Sequence, residues 1–222
     1  ASRHVVTANK ALIATHGAQL ALKAEAAGVT LAFEAAVAGG IPIIKALREG
    51  LAANEISSIY GILNGTCNYI LSRMRDEELE FEAALEDAQR LGCAEADPSF
   101  DIDGVDAAHK LAILASLAFG RQTDFENIHV EGIRHISKTD IHLAEELGYR
   151  IKLLGIASEN ENGIEQRVHP CLVPLTSSIA SVEDVFNAIV IQGDFADNLI
   201  LEGRGAGEGP TASAVCADLI DI

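Results

Sequence analysis

One lysine and a run of carboxylates before it carry most of the chemistry open to this chain. Residues 92–110, GCAEADPSFDIDGVDAAHK, place Glu95, Asp97, Asp101, Asp103 and Asp106 ahead of Lys110, and the apolar run LAILASLAF follows at once. A solvated loop has no need to end on a buried helix, whereas a site for a positively charged small molecule does. If GVDAAHK opens a helix, Asp106 and Lys110 stand at i and i+4 on one face. An exposed pair of that kind contributes only about 0.3–0.5 kcal/mol. The apolar continuation predicts burial on most sides, and the preceding loop brings Glu95, Asp97 and Asp101 close in sequence. Carboxylates around a partly buried lysine make a pocket for an ammonium group, with one amine left for proton transfer.

The elements that must position these residues can be read from periodicity and turn residues. HVVTANK reads as a short buried strand and ALIATHGAQLALKAEAAG as a helix closed by Gly28. VTLAFEAAV reads as a second apolar strand, so the unit is βαβ with parallel strands. EISSIYGILN predicts a strand and GTCNYILSRMR a short helix. Residues 80–91 predict an amphipathic helix ending before Gly92, and GVDAAHKLAILASLAFG a central one. TDIHLAEELG reads as another short helix. YRIKLLGIAS, GIEQRVHPCLVP and NAIVIQGD alternate apolar and polar positions and read as antiparallel strands, the first two joined at ENENG. The tail GRGAGEGPTASAVCADLIDI predicts a glycine-rich turn and then a helix from near Pro210.

Composition narrows the partners. The chain has 222 residues, 49% of them apolar, with no Trp, so Ala, Leu, Ile and Val must fill the core, which suits helices packed on a sheet. A net charge of −17 makes nucleic-acid backbones and anionic membrane surfaces poor partners. Cys67, Cys93, Cys171 and Cys216 are widely spaced, so neither a zinc site nor a disulfide framework is expected. Apolar runs are interrupted before they reach membrane-spanning length, and the expectation is a cytoplasmic protein with reduced thiols.

GCAEADPSFDIDGVDAAHK closely resembles the signature of homoserine dehydrogenase: a glycine, an acidic loop with D-P, then D-x-x-G-x-D-x-x-x-K. VVTANK, EAAVAGGIPIIKAL, GILNGTCNYIL and GAGEGPTASAV resemble the same family in the same order, so the likeness covers essentially the whole chain. It implies NAD(P)-dependent interconversion of L-homoserine and L-aspartate 4-semialdehyde, with NADP or NAD as cofactor, in threonine, methionine and isoleucine biosynthesis. By that resemblance Glu95 and Asp106 hold the amino acid and Asp101 and Thr66 line its pocket. Lys110 is then the acid–base residue, with Lys10 near nicotinamide and substrate and able to share that role. Asn9, Lys10, Gly92, Glu95 and Gly207 are the implied cofactor contacts. Backbone carbonyls of Glu34, Val37, Gly39 and Ile41 are implied to face a structural Na⁺. Cys93 departs from the family, which often has an aromatic residue there.

The expected fold is α/β: an α+β catalytic and dimerisation domain over residues 33–207, its largely antiparallel sheet covered by helices. Residues 1–32 and 208–222 are expected to be remnants of a Rossmann nucleotide-binding domain, because no G-x-G-x-x-G follows a strand near the N-terminus. The sequence thus predicts a truncated, cofactor-deficient and inactive fragment that still forms a homodimer. The rival reading is a non-catalytic dimerisation or amino-acid-binding module retaining the fold.

Overall fold

In the computed structural model, which describes residues 3–122 and 125–222, the chain opens with a small βαβ unit. β1 (Val5–Val6) and β2 (Leu31–Ala32) pair in parallel across α1 (Lys10–Ala26). Asn9 caps α1 by accepting the Leu12 N–H at 3.1 Å, and Gly28, at φ +63, follows its last turn. Both strands are shorter than the sequence suggested. β1 is not buried, since Val5 is 48% exposed. VTLAFEAAV is a strand only at Leu31–Ala32, because Glu34 is claimed elsewhere. The Glu34 N–H donates to Asp218, and its carboxylate accepts the N–H groups of Ile44 and Lys45. That carboxylate caps α2 (Ile43–Lys45), whose chain continues as a wider π turn to Gly50. Burial raises the Glu34 pKa, although the two backbone N–H groups oppose it.

The remaining elements are β3 (Ile56–Ile62), α3 (Gly65–Asp76), α4 (Phe81–Arg90), α5 (Ser99–Ile102), α6 (Val105–Phe119), β4 (His129–Val130) and α7 (Lys138–Glu146). β5 (Tyr149–Asn160), β6 (Gly163–Pro174), β7 (Phe186–Gly193), β8 (Asp197–Arg204) and α8 (Glu208–Ile220) follow. The large sheet has the order β4-β6-β5-β3-β7-β8 and is antiparallel except for the short pair β4–β6. β5 and β6 form a hairpin closed between Asn160 and Gly163. β8 is an edge strand beyond those read from the sequence, and α8 starts at Glu208, ahead of Pro210.

One face of the sheet, through Ile59, Leu153, Ile189 and Ile191, joins the helices in the main core. α6 is central there, with every residue from Asp106 to Ala115 buried. Gly104 begins it at φ +84, where a Cβ would also lie 3.1 Å from Val130 Cγ1, so this turn demands glycine. The opposite face gathers Ile62, Leu154 and Val190 into a second cluster, closed within the chain by Ile179, Ala180 and Val182. Lys152 of β5 is 1% exposed and donates to Asn68 Oδ1 at 3.0 Å and Val182 O at 2.6 Å. Burial pulls its pKa down to about 8 against the opposing charge of Glu183. α8 returns to pack on β1 and on Glu34–Ala36, so the two ends of the chain meet.

Candidate active site

The site forms where β3 ends and α3 begins. Asn64 is the N-cap of α3: its Oδ1 accepts the Cys67 N–H at 2.8 Å. Its Nδ2 reaches the other way, donating to Asp101 Oδ1 and Asp106 Oδ2, both at 2.8 Å. One side chain therefore starts a helix and holds two carboxylates. Thr66, in the first turn of α3, donates to Cys93 O at 2.8 Å and lies 3.1 Å from Asp101 Oδ2.

Asp106 is the hub. It is 2% exposed and sits in the first turn of α6, where the helix dipole favours a negative charge. Its Oδ2 takes Lys110 Nζ at 2.7 Å, and its Oδ1 takes Lys10 Nζ at 2.8 Å. Burial by itself would raise the Asp106 pKa, but the charges of Lys110 and Lys10 prevail and hold it at about 2. Lys110, 7% exposed, also donates to Leu63 O at 2.8 Å, which leaves one of its three N–H donors without a partner among the described residues. Lys10 is the first residue of α1, so two elements far apart in sequence deliver two ammonium groups to one carboxylate.

Lys10, Lys110, Asp101, Asp106 and Thr66 are thus brought together as the sequence predicts. The acidic loop is not one pocket. Asp97 accepts the Ser99 N–H and shapes the local turn, and Asp103 pairs with Arg134. Glu95 is exposed, and among the described residues its backbone carbonyl alone is bonded, to Gln89 Nε2 at 3.0 Å. Glu95 and Asp97 precede α5, and Asp103 is taken by Arg134, so none of the three is paired with Lys10 or Lys110 among the described residues. Asn9 is committed to capping α1, Gly92 closes α4 at φ +75, and Gly207 precedes the first turn of α8. Asn64 and Phe100 were missed. The signal for Asn64 was present as an Asn directly before a predicted helix, GTCNYIL.

The Glu34–Ile41 loop is tight, with Ala38 and Gly39 both at positive φ, and a Cβ on Gly39 would lie 2.9 Å from Gly205 O. The carbonyls of Glu34 and Ile41 already accept backbone N–H groups, whereas among the described residues no backbone N–H is directed at those of Val37 and Gly39. Among the described residues no cluster of His, Cys, Asp or Glu could hold a metal ion, and no helix is long and apolar enough to cross a membrane.

The family model for homoserine dehydrogenase matches residues 42–220. The chain belongs to the homoserine dehydrogenase family. A homoserine dehydrogenase of Pseudomonas aeruginosa is 55% identical over 99% of this chain and 51% of its own length. One from Neisseria gonorrhoeae is 54% identical, again over 99% of the chain and 51% of its own length. The crystal structure of the Thiobacillus denitrificans homoserine dehydrogenase superposes with a TM-score of 0.97 at 58% identity, covering 99% of this chain and 51% of that one. A hyperthermophilic archaeal homoserine dehydrogenase in complex with NADPH gives 0.87 at 33% identity, over 99% and 64% of the two chains. The chain spans about half the length of the curated relatives it matches. The fold agrees with the family throughout: a mixed α/β chain whose mostly antiparallel sheet is flanked by helices.

Proposed function

We infer that this chain carries the substrate and proton-transfer half of an NAD(P)-dependent homoserine dehydrogenase, acting in amino-acid biosynthesis. The observation that carries this reading is the Asp106 carboxylate shared by Lys10 and Lys110, with Asp101 beside it. Paired ammonium and carboxylate groups match an amino-acid zwitterion, which brings one of each. Asp101, aligned by Asn64 and Thr66, and the free carboxylate of Glu95 suit the substrate ammonium. Lys10 suits its carboxylate.

Oxidation of L-homoserine to L-aspartate 4-semialdehyde removes a hydride from the hydroxyl-bearing carbon and a proton from the hydroxyl oxygen. The nicotinamide, when bound, accepts the hydride. In oxidation the proton passes, directly or through one water, to the lone pair of Lys110 Nζ as the neutral amine, whose two N–H groups stay on Leu63 O and Asp106, and in the reverse direction the Lys110 ammonium so formed returns it to the carbonyl oxygen. Asp106 keeps its charge throughout, so it orients both amines without exchanging protons itself. The test is turnover by the chain extended to the full length of its relatives. Reduced nicotinamide should form with L-homoserine and not with L-serine, and no turnover with L-homoserine would refute the assignment.

Segments 1–32 and 208–222, whose first two residues lie outside the described ones, are read as parts of a nucleotide-binding unit. The packing of α8 on β1 supports this, and residues 33–207 are then the catalytic and dimerisation unit. The cofactor, NADP or NAD, would meet Lys10 and the backbone at Gly207. Without a G-x-G-x-x-G turn after a strand, this 222-residue chain should bind NADPH or NADH no tighter than about millimolar. Calorimetry giving a micromolar constant would overturn that expectation. Carbonyls of Val37 and Gly39 fit a hard monovalent cation such as Na⁺, whose role would be structural.

The edge strand β8, with its 41%-exposed Ile200, is assigned to a two-fold contact with another copy of the chain. Light scattering at micromolar concentration should give the mass of a dimer. A monomer mass would remove the assignment.

A further inference from the structure

Phe100 presents a large apolar ring to solvent at the edge of the site, being 44% exposed. It lies in α5, directly before Asp101, one of the two carboxylates that Asn64 holds. Lys10 Nζ stands 5.5 Å from the ring centroid while remaining 2.8 Å from Asp106 Oδ1. We propose that Phe100 is the positioning residue of Lys10, its ring face holding the ammonium against Asp106 ready for substrate.

Three observations converge on this role. First, Lys10 opens α1, and a cation at a helix N-terminus is opposed by the helix dipole, so its position there requires partners. Among the described residues its partners are Asp106 and the negative face of an aromatic ring. Second, the ring is itself fixed. Phe100 stacks on His109 with centroids 5.5 Å apart and planes at 29°. His109 stacks in turn on Phe125 at 4.3 Å and 22°. His109 Nδ1 lies 3.0 Å from Val105 O, which anchors the column to the first turn of α6. Third, His109 immediately precedes Lys110, so one aromatic column runs from the Lys110 helix to the Lys10 ammonium. α5 and α6 thereby register the amine from α1 against the amine from α6.

This deepens the functional reading above and rests on it where Lys10 is taken to act in the site. The test has two parts, so that the two ideas fail separately. In the 222-residue chain labelled with ¹³C at the lysine ε-carbons, the Lys10 resonance, assigned by its loss in Lys10→Ala, should be shifted by the ring current. Phe100→Leu should return it to the position of an exposed lysine, and Phe100→Trp should keep or enlarge the shift. An unchanged resonance in Phe100→Leu overturns the proposal, whatever the activity.

In the chain extended to the length of its relatives, Phe100→Leu should lower kcat by about threefold to tenfold, and Phe100→Trp should restore it, because Trp is the stronger cation–π partner. In the Lys10→Ala background Phe100→Leu should add nothing further. An equal loss in both backgrounds would mean that the ring acts through packing and not through Lys10, and the proposal falls. If Lys10→Ala alone leaves kcat unchanged, it is the role of Lys10 that fails, and the resonance still decides the contact.

Discussion

Lys110→Met, measured in the chain extended to the length of its relatives, should lower kcat for L-homoserine oxidation by at least about a hundredfold with KM changed much less. A positioned acid–base group contributes typically about 10²–10⁴ in rate, and an interaction made only in the transition state appears in kcat. The geometry supports this size. Leu63 O and Asp106 fix Lys110 Nζ from two sides, and its third position, a lone pair in the neutral amine and an N–H in the ammonium, is left for the reacting oxygen. Met keeps the apolar stem inside α6 and removes only the amine, so folding should survive. Lys10 shares the same carboxylate and is able to take over part of the transfer. The double variant with Lys10→Ala should therefore fall further than Lys110→Met alone. A folded Lys110→Met enzyme with near-normal kcat in both backgrounds would reduce Lys110 to a counter-ion of Asp106.

The second large effect is on stability and can be measured in the 222-residue chain itself. Asp106→Asn should destabilise the fold by about 3 kcal/mol at pH 7, the low end for removing one partner of a buried ion pair, since Lys10 remains partly solvated. The loss should depend on pH in one direction. Asp106 titrates at about 2 when folded, below its ordinary value of 3.8, so its ionised form binds the folded state better. A depressed carboxyl contributes its stability above the unfolded pKa and loses it as pH falls through the folded one. The gap between wild type and Asp106→Asn should therefore be constant above about pH 4 and close between there and about pH 2. Urea midpoints taken from pH 7 to pH 2 read this directly. A gap below 1 kcal/mol at pH 7 would mean that the lysines find other partners without the carboxylate.

What the sequence made legible follows from where local signals agree with tertiary demand. α1, α4 and α6 were readable because each apolar pattern ends on a following glycine, Gly28, Gly92 and Gly120. Asp101, Asp106 and Lys110 could be grouped because they share one contiguous motif, whereas Lys10 and Thr66 joined them only through the family resemblance. Glu95, Asp97 and Asp103 looked like the same cluster, but nearness along the chain says nothing about direction once α5 and the Gly104 turn intervene. β2 was overextended because its apolar run continues while Glu34 is drawn to α2 and α8 by hydrogen bonds that only tertiary structure supplies. β8 was lost behind the glycines of the tail, though Leu199 and Leu201 alternate with exposed Ile200 as an edge strand should. Phe100 carried no sequence signal, because its role depends on a lysine ninety residues earlier.

Asn64 has a consequence for motion. The same amide that caps α3 at Cys67 also tethers Asp101 and Asp106, so the helix cannot fray at its start without releasing both carboxylates. Opening of the first turn and release of the two carboxylates are a single event. The Cys67 amide hydrogen should therefore exchange with solvent only as often as the pocket comes apart, and an amino acid held by those carboxylates should slow that exchange by the factor with which it occupies the site.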